Sequence, residues 1–521
     1  MDGIVMSKEL AKFILAITLT VAFWGLVTPA FEFPDEQAHL GSVEYLRTQS
    51  EMPSYEKLDL SSEMIETQKY LGLFRNDLGQ NKYTYHPEYH VDYSDSLIGP
   101  HEQEIKDLNT SESRTTYLGS EAAKYPPLYY RLIGLLSSPA SFSNILDRLF
   151  SARLAGMILI PLMAYLVYLS GLTLFSSKLY ARTLTLLIML QPMFSFVTNG
   201  VNSDNLHNLW FFALTYISLQ LIKRGIRISD LLALATIIAL DIYTKPQGFI
   251  AIPLVSLALL LSIIKFRKWK MLLAILGIGI VSLVFASPQW NIYKHLLNVA
   301  NQSGVSFVEY LRFTANKLIA QNVVWYWGVF KWLGVVLPPI YWRIANRVVL
   351  ISVVGLVVYL FKVIKKKKII ADPYSVGYLL LVSLAYALII FWYDWQHTKI
   401  NGYSLGIQAR YFFPTLLAHI SLLMTGIISL GWSKISRRWL RIALVSLFVW
   451  LQLGGLYRLL SIYYDLSSMG SFILQVSQYK PEYLKGNNWY LWITLYLGSL
   501  IYLVKNLLFV GKVAKAKRGQ K

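Results

Sequence analysis

Blocks of about twenty apolar residues recur along the chain, and they restrict its fold more than any other feature. Each is long enough to cross a bilayer as a helix. Twelve such spans can be marked, at 12–31, 152–175, 179–198, 206–222, 229–243, 249–264, 271–288, 347–364, 375–394, 411–431, 439–461 and 489–510. In lipid the backbone must satisfy its own hydrogen bonds, so such blocks form helices. The pattern predicts an all-α polytopic membrane protein of about 12 transmembrane helices. Only 15% of residues are charged, against about a quarter in soluble domains. The first block is too long for a signal-peptide core and reads as a retained anchor. The chain has no cysteine, which excludes disulfides and thiolate chemistry.

The net charge of +20 would suit nucleic acid if it formed one basic face. It does not. Of the 29 acidic residues, 18 lie between Glu32 and Glu121, while Lys and Arg cluster in short gaps such as "KFRKWK", "KVIKKKK" and "SKISRRWLR". Basic short loops mark the cytoplasmic side. Alternation from that rule places every basic cluster on one side, with both termini cytoplasmic. It places loops 32–150 and 289–346 outside the cell membrane. The long extracytoplasmic loop over 289–346 separates seven spans within 1–288 from five within 347–521. Within the first loop, "PDEQAHLGSVEYLRTQ" and "YPPLYYRLIGLLSS" predict two short surface helices, each opened by proline. Asp35 and Glu36 are expected in the first turn of the earlier one. Residues 50–123 show no clear periodicity.

The same alternation brings six polar segments to the outer side. Asp35, Glu36 and His39 follow span 1; Tyr125 and Tyr129 precede span 2; Asn202 and Asp204 follow span 3. Lys245 and Gln247 follow span 5; Trp327 lies in the loop after span 7; Gln408, Arg410 and Tyr411 enter span 10. Ionisable groups near the bilayer are costly and tend to be functional. The simple inference is a cavity opening outward at the membrane surface. Each residue also has a plainer role. The acids can complement a helix dipole, Asp204 can cap a helix, and Lys245 and Arg410 can anchor at the interface. Arg410 is positive charge on the outer side, against the usual bias. The tryptophans at 325–332 suit an interfacial aromatic belt.

The ordered motifs "PDEQAH", "YPPLYY", "NSDN", "TKPQG" and "QARYFFP" resemble the bacterial family called domain of unknown function 2142, over roughly residues 12–460. That family is similar to the GT-C glycosyltransferases. The family pattern often has His where Tyr125 stands and Gly where Ala409 stands. The resemblance implies a shared module of seven spans ending near Pro288, followed by a variable one. It implies an acidic active-site residue in the first loop, a position that Asp35 matches. It also implies a sugar donor on a polyprenyl phosphate, and inversion at the anomeric carbon.

On that reading Asp35 is the general base for a hydroxyl acceptor, with Glu36 or His39 orienting it. Arg410, and Lys245 with it, face the donor phosphate. Asn202, Asp204, Gln247 and Gln408 hydrogen-bond sugar or phosphate. Tyr125, Tyr129, Trp327 and Tyr411 line the sugar or lipid. If a divalent Mg or Mn ion takes part, Asp35 and Asp204 supply oxygen ligands. The partners are the bilayer, the lipid-linked donor and a glycan or other hydroxyl acceptor. Two other classes remain open: a transporter or flippase of lipid-linked glycans, which should show internal repeats, and a glycan polymerase or ligase.

Overall fold

The computed structural model describes residues 7–49, 51–53, 57–75, 82–83, 98–120, 125–273, 275–277, 279–280, 284, 287–288 and 299–508. It is overwhelmingly helical, as the apolar blocks predict. Eight helical segments are long and apolar enough to cross a membrane: Lys8–Val27, Ile145–Phe175, Pro246–Phe266, Pro339–Ile364, Pro373–Asn401, Ala409–Ser429, Lys434–Tyr463 and Asn488–Leu507. Each coincides with one of the twelve expected blocks.

The other four blocks differ. The block at 179–198 splits into Lys178–Met189 and Pro192–Val197. Pro192 lacks an N–H and keeps Gln191 extended, which ends the first piece. The side chain of Gln191 then caps the second by accepting the Phe194 N–H. The block at 206–222 becomes Asp204–Arg224. The block at 229–243 becomes Ile228–Ile242, of 15 residues, about 22 Å long and short for a hydrocarbon core of about 30 Å. The block at 271–288 lies partly outside the described residues.

The first loop carries helices at both expected places, Glu36–Thr48 and Leu128–Leu136, the first of them largely buried. It also holds Ser62–Tyr70, Ile98–Asp107 and Ser111–Thr115, where no periodicity was visible. Local caps start the first and last of these. Ser61 accepts the Met64 N–H, and Thr110 with Ser113 forms a capping box; such caps satisfy the free N–H groups of a first turn.

Two features of the packing position the site. The first is a close crossing of Pro339–Ile364 against Leu416–Ser429. A Cβ on Gly355 would lie 2.1 Å from the carbonyl oxygen of Gly426, so only glycine permits this backbone contact, as is common between membrane helices. The second is Arg153. Its Nε donates to Glu36 Oε1 at 2.8 Å and its Nη2 to Glu36 Oε2 at 2.6 Å. The remaining donors reach the carbonyls of Gly25 (3.2 Å), Thr28 (2.8 Å) and Pro29 (2.7 Å). All five guanidinium N–H groups are thereby used. Arg153 closes the end of the first helix and fixes the turn into Glu36–Thr48. Lys480, also buried, adds a bond to the Leu26 carbonyl at 2.5 Å.

Candidate active site

Asp35 stands in that turn. Its φ is 61°, the left-handed region, and the helix begins only at Glu36. The expectation that Asp35 lies in the first helical turn is therefore corrected. Its carboxylate makes no capping bond and instead pairs with Nη2 of Arg410. Aspartate is among the few residues that tolerate this backbone region. The Arg410 side chain is buried at 4% exposure, while that of Asp35 is 39% exposed. Nε of Arg410 donates to Gln408 Oε1 at 2.7 Å, and Nη1 to the Pro34 carbonyl at 3.4 Å. The cation is held in place and the acid stays accessible.

A second pair lies beside the first. Lys245 Nζ bonds Asp204 Oδ1. Asn202 holds the start of helix Asp204–Arg224, its Oδ1 accepting the Asp204 N–H at 2.8 Å. The Nδ2 of Asn202 donates to the Pro34 carbonyl at 3.3 Å, so both ion pairs are tied to one backbone oxygen. The Asn202 N–H donates to the hydroxyl of the buried Tyr129 at 2.8 Å. Lys245 Nζ sits 5.1 Å from the centre of the Tyr125 ring, a cation–π distance.

Tyr125 stacks in turn on His39, with centroids 5.9 Å apart and planes at 22°. His39 Nδ1 shares a 2.9 Å hydrogen bond with the Tyr130 hydroxyl. Burial lowers the His39 pKa from 6.5 to about 4; Asp35 and Asp204 oppose this, while Lys245 and Arg410 add to it. The folded protein thus holds a neutral imidazole. Its stabilisation is complete above the unfolded value of 6.5 and is lost as pH falls through about 4. The difference is worth roughly 3 kcal/mol. In detergent, the melting temperature of wild type should drop between about pH 7 and pH 4.5, and His39→Gln should flatten that drop. An equal drop in the variant would assign the acid sensitivity to other groups.

Three members of the two ion pairs, Asp204, Lys245 and Arg410, line a narrow cleft with room for about one water, and Asp35 reaches it through its pairing with Arg410. Asp204, Lys245, Gln247, Arg410 and Tyr411 of the expected residues line it, together with His207, Asn208 and Tyr386, which the sequence reading missed. His207 Nδ1 lies 2.6 Å from Oδ1 of the buried Asp241. The available signal was an ionisable residue inside an apolar block.

The other eight expected residues do not line the cleft: Asp35, Asn202 and Tyr125 contact the lining residues Arg410, Asp204 and Lys245, His39 stacks on Tyr125, and four take places elsewhere. Glu36 is fully buried in its two-bond pair with Arg153 and also accepts the Val201 N–H at 3.1 Å; it builds the turn and does not face the cleft. Tyr129 is buried behind Asn202. Trp327 is 2% exposed, and its indole N–H donates to Asn346 Oδ1 at 2.7 Å, so it is a packing residue and not a sugar platform. Gln408 orients Arg410. Asp35 and Asp204 each face a cation. Among the described residues no three His, Asp or Glu groups converge to hold a metal. Asp35 and Asp204, the oxygen ligands expected for a Mg or Mn ion, are each paired with a cation here.

No curated protein matches the chain. Among solved structures it is similar to ArnT from Cupriavidus metallidurans in the apo state, at 14% identity and a TM-score of 0.40, over 95% of this chain and 76% of that one. Arabinosyltransferase EmbB from Mycobacterium smegmatis matches at 10% identity and a TM-score of 0.40, over 97% of this chain and 42% of that one. The oligosaccharyltransferase AglB from Archaeoglobus fulgidus, in complex with an inhibitory peptide and a dolichol-phosphate, matches at 12% identity and a TM-score of 0.39. That match covers 94% of this chain and 58% of the other. The chain thus spans less than two thirds of the last two proteins. The family model described as predicted membrane protein (DUF2142) matches residues 18–418, a stretch that includes Asp35, Asp204, Lys245 and Arg410, and so the chain belongs to that family.

Proposed function

We propose that the protein is a membrane glycosyltransferase of the GT-C kind, moving a sugar from a polyprenyl-phosphate donor to a hydroxyl acceptor with inversion. The observation that carries this reading is the pairing of Asp35 with Arg410 beside Asp204 with Lys245 at the border of one cleft. Paired charges of this kind suit a ligand that exchanges partners. A donor phosphate draws Arg410 and Lys245 away from their carboxylates, since an arginine fork matches phosphate oxygens. That exchange releases Asp35, which is accessible, to take the proton of the attacking hydroxyl. The bond from the anomeric carbon to phosphate breaks on the opposite face, and the leaving charge falls on the two cations. Placement of the charges at helix ends, and not in mid-span, favours this over a transporter. The site side is proposed to be extracytoplasmic, from the alternation of basic loops.

Arg410→Lys tests the phosphate role while keeping the charge. Donor affinity should fall about tenfold because the fork geometry is lost. The readout is the KM for a lipid-phosphate sugar in proteoliposomes. An unchanged donor KM, with acceptor KM also constant, would remove Arg410 from the donor site.

A further inference from the structure

One helical turn beyond the Asp204–Lys245 pair lies a second cross-helix pair. His207 stands three residues after Asp204 on helix Asp204–Arg224. Asp241 stands four residues before Lys245, at the end of helix Ile228–Ile242. At 1.5 Å per residue His207 lies about 5 Å further along its helix, and Asp241 is tied to Lys245 by the Lys245 N–H donating to the Asp241 carbonyl at 2.8 Å. The polarity is reversed between the two layers: acid faces lysine in one, and histidine faces acid in the other.

The inner pair is only half explained by packing. His207 is 2% exposed and Asp241 is fully buried. The His207 ring packs edge-on against Phe211, with centroids 4.8 Å apart, which accounts for the ring but not for its second nitrogen. The carboxylate of Asp241, 2.6 Å from Nδ1, fixes that nitrogen as a proton carrier. On the other side of the ring, Nε2 has no hydrogen-bond partner among the described residues. Buried polar atoms are rarely left so. The ring lines the cleft together with Lys245 and Arg410. The charged and titratable groups around it are Asp204 on its own helix, Asp241 and Lys245 from the next, Tyr386 from Pro373–Asn401, and Arg410 and Tyr411 from the segment 409–415. Of the two acids, Asp204 is paired with Lys245, and Asp241 has His207 as its side-chain partner. When both ring nitrogens hold protons, Asp241 balances the added charge, and Nε2–H is a buried donor without a partner among the described residues, on a ring that lines the cleft.

We propose that His207, oriented by Asp241, is a third phosphate ligand beside Arg410 and Lys245, donating Nε2–H to a phosphate oxygen. The proposal rests on the reading of the cleft as a lipid-phosphate sugar site and adds a proton-dependent ligand to it. In transfer, the acceptor oxygen bonds the anomeric carbon, and its proton goes to Asp35. The carbon–oxygen bond to phosphate breaks, with the electron pair going to phosphate. Nε2–H hydrogen-bonds the charge that appears there and keeps its proton. Asp241 is a positioning residue.

The test is binding, measured apart from transfer. The purified protein in detergent is titrated with farnesyl phosphate, and in parallel with inorganic phosphate, from about pH 5.5 to 8.5, the window in which histidine titrates. The phosphate probe itself titrates, so the quantity read is the ratio of wild-type affinity to that of His207→Gln. That ratio should fall about tenfold from acid to alkaline pH. Asp241→Asn should move the fall to lower pH, which a packing role would not do. A similar ratio for inorganic phosphate keeps His207 as a phosphate ligand and assigns it to the free ion. A ratio that stays flat with pH overturns the proposal. Glycosyl transfer is assayed on the same preparations. Absence of transfer in wild type, with the pH-dependent ratio intact, defeats the glycosyltransferase reading and leaves His207 as a phosphate ligand.

Discussion

Asp35→Asn is expected to cut glycosyl transfer by about 10²–10⁴, the usual contribution of a positioned general base, while the protein stays folded. The substitution is unusually clean here. Asn has the size of Asp and shares its tolerance of the left-handed backbone, so the φ of 61° imposes no new strain. The amide can still accept a hydrogen bond from Arg410. What disappears is the negative charge and the ability to take a proton. Arg410 is buried, but its bonds to Gln408 and the Pro34 carbonyl remain and the amide oxygen replaces the lost acceptor, so the cost in stability should be about 1–3 kcal/mol. Transfer is measured in proteoliposomes with a lipid-phosphate sugar, and folding by melting in detergent. Near-normal turnover in a folded variant would take the base role away from Asp35.

The neighbouring residue should behave in the opposite way. Glu36→Gln is expected to destabilise the protein by about 3–5 kcal/mol, the cost of leaving one member of a buried ion pair unmatched. Both side chains are at 0% exposure. The effect should appear as a lower melting temperature and poor yield, with the surviving folded fraction retaining turnover. Replacing Arg153 as well, by Met, should not restore stability. Arg153 also serves the carbonyls of Gly25, Thr28 and Pro29, and these would lose their donors. A Glu36→Gln protein that melts with wild type would contradict this account of the turn.

Much of the fold was legible because its main signal is coarse: apolar length. Eight of the expected spans need only that. The splits and short helices depend on finer chemistry, such as Pro192 with the Gln191 cap. The site was legible in outline for a related reason. Asp35, Asp204, Lys245 and Arg410 are charges at the ends of apolar blocks, and block alternation alone brings their ends together. Their partners were not legible. Asp35 and Glu36 look equivalent in sequence, yet one left-handed residue points them to different neighbours, and the neighbour of Glu36 is 117 residues away. His207 and Asp241 sit just inside the ends of their blocks, where a hydropathy reading averages them out. Trp327 looked like an interfacial ring because tryptophan often is one; only its contact with Asn346 shows that it is core.

The pair that closes the site joins residues 375 positions apart. At ribosomal rates of about 5–20 residues per second, roughly 20–75 s separate the synthesis of Asp35 from that of Arg410. Throughout that interval the nascent chain carries Asp35 without the cation that pairs with it, so on the proposed mechanism a fragment ending before Arg410 is expected to be inactive. Conversely, two polypeptides divided in the Lys-rich segment at 365–368 would carry the two halves of the site separately, and activity from their co-expression would report assembly of the helices and nothing earlier.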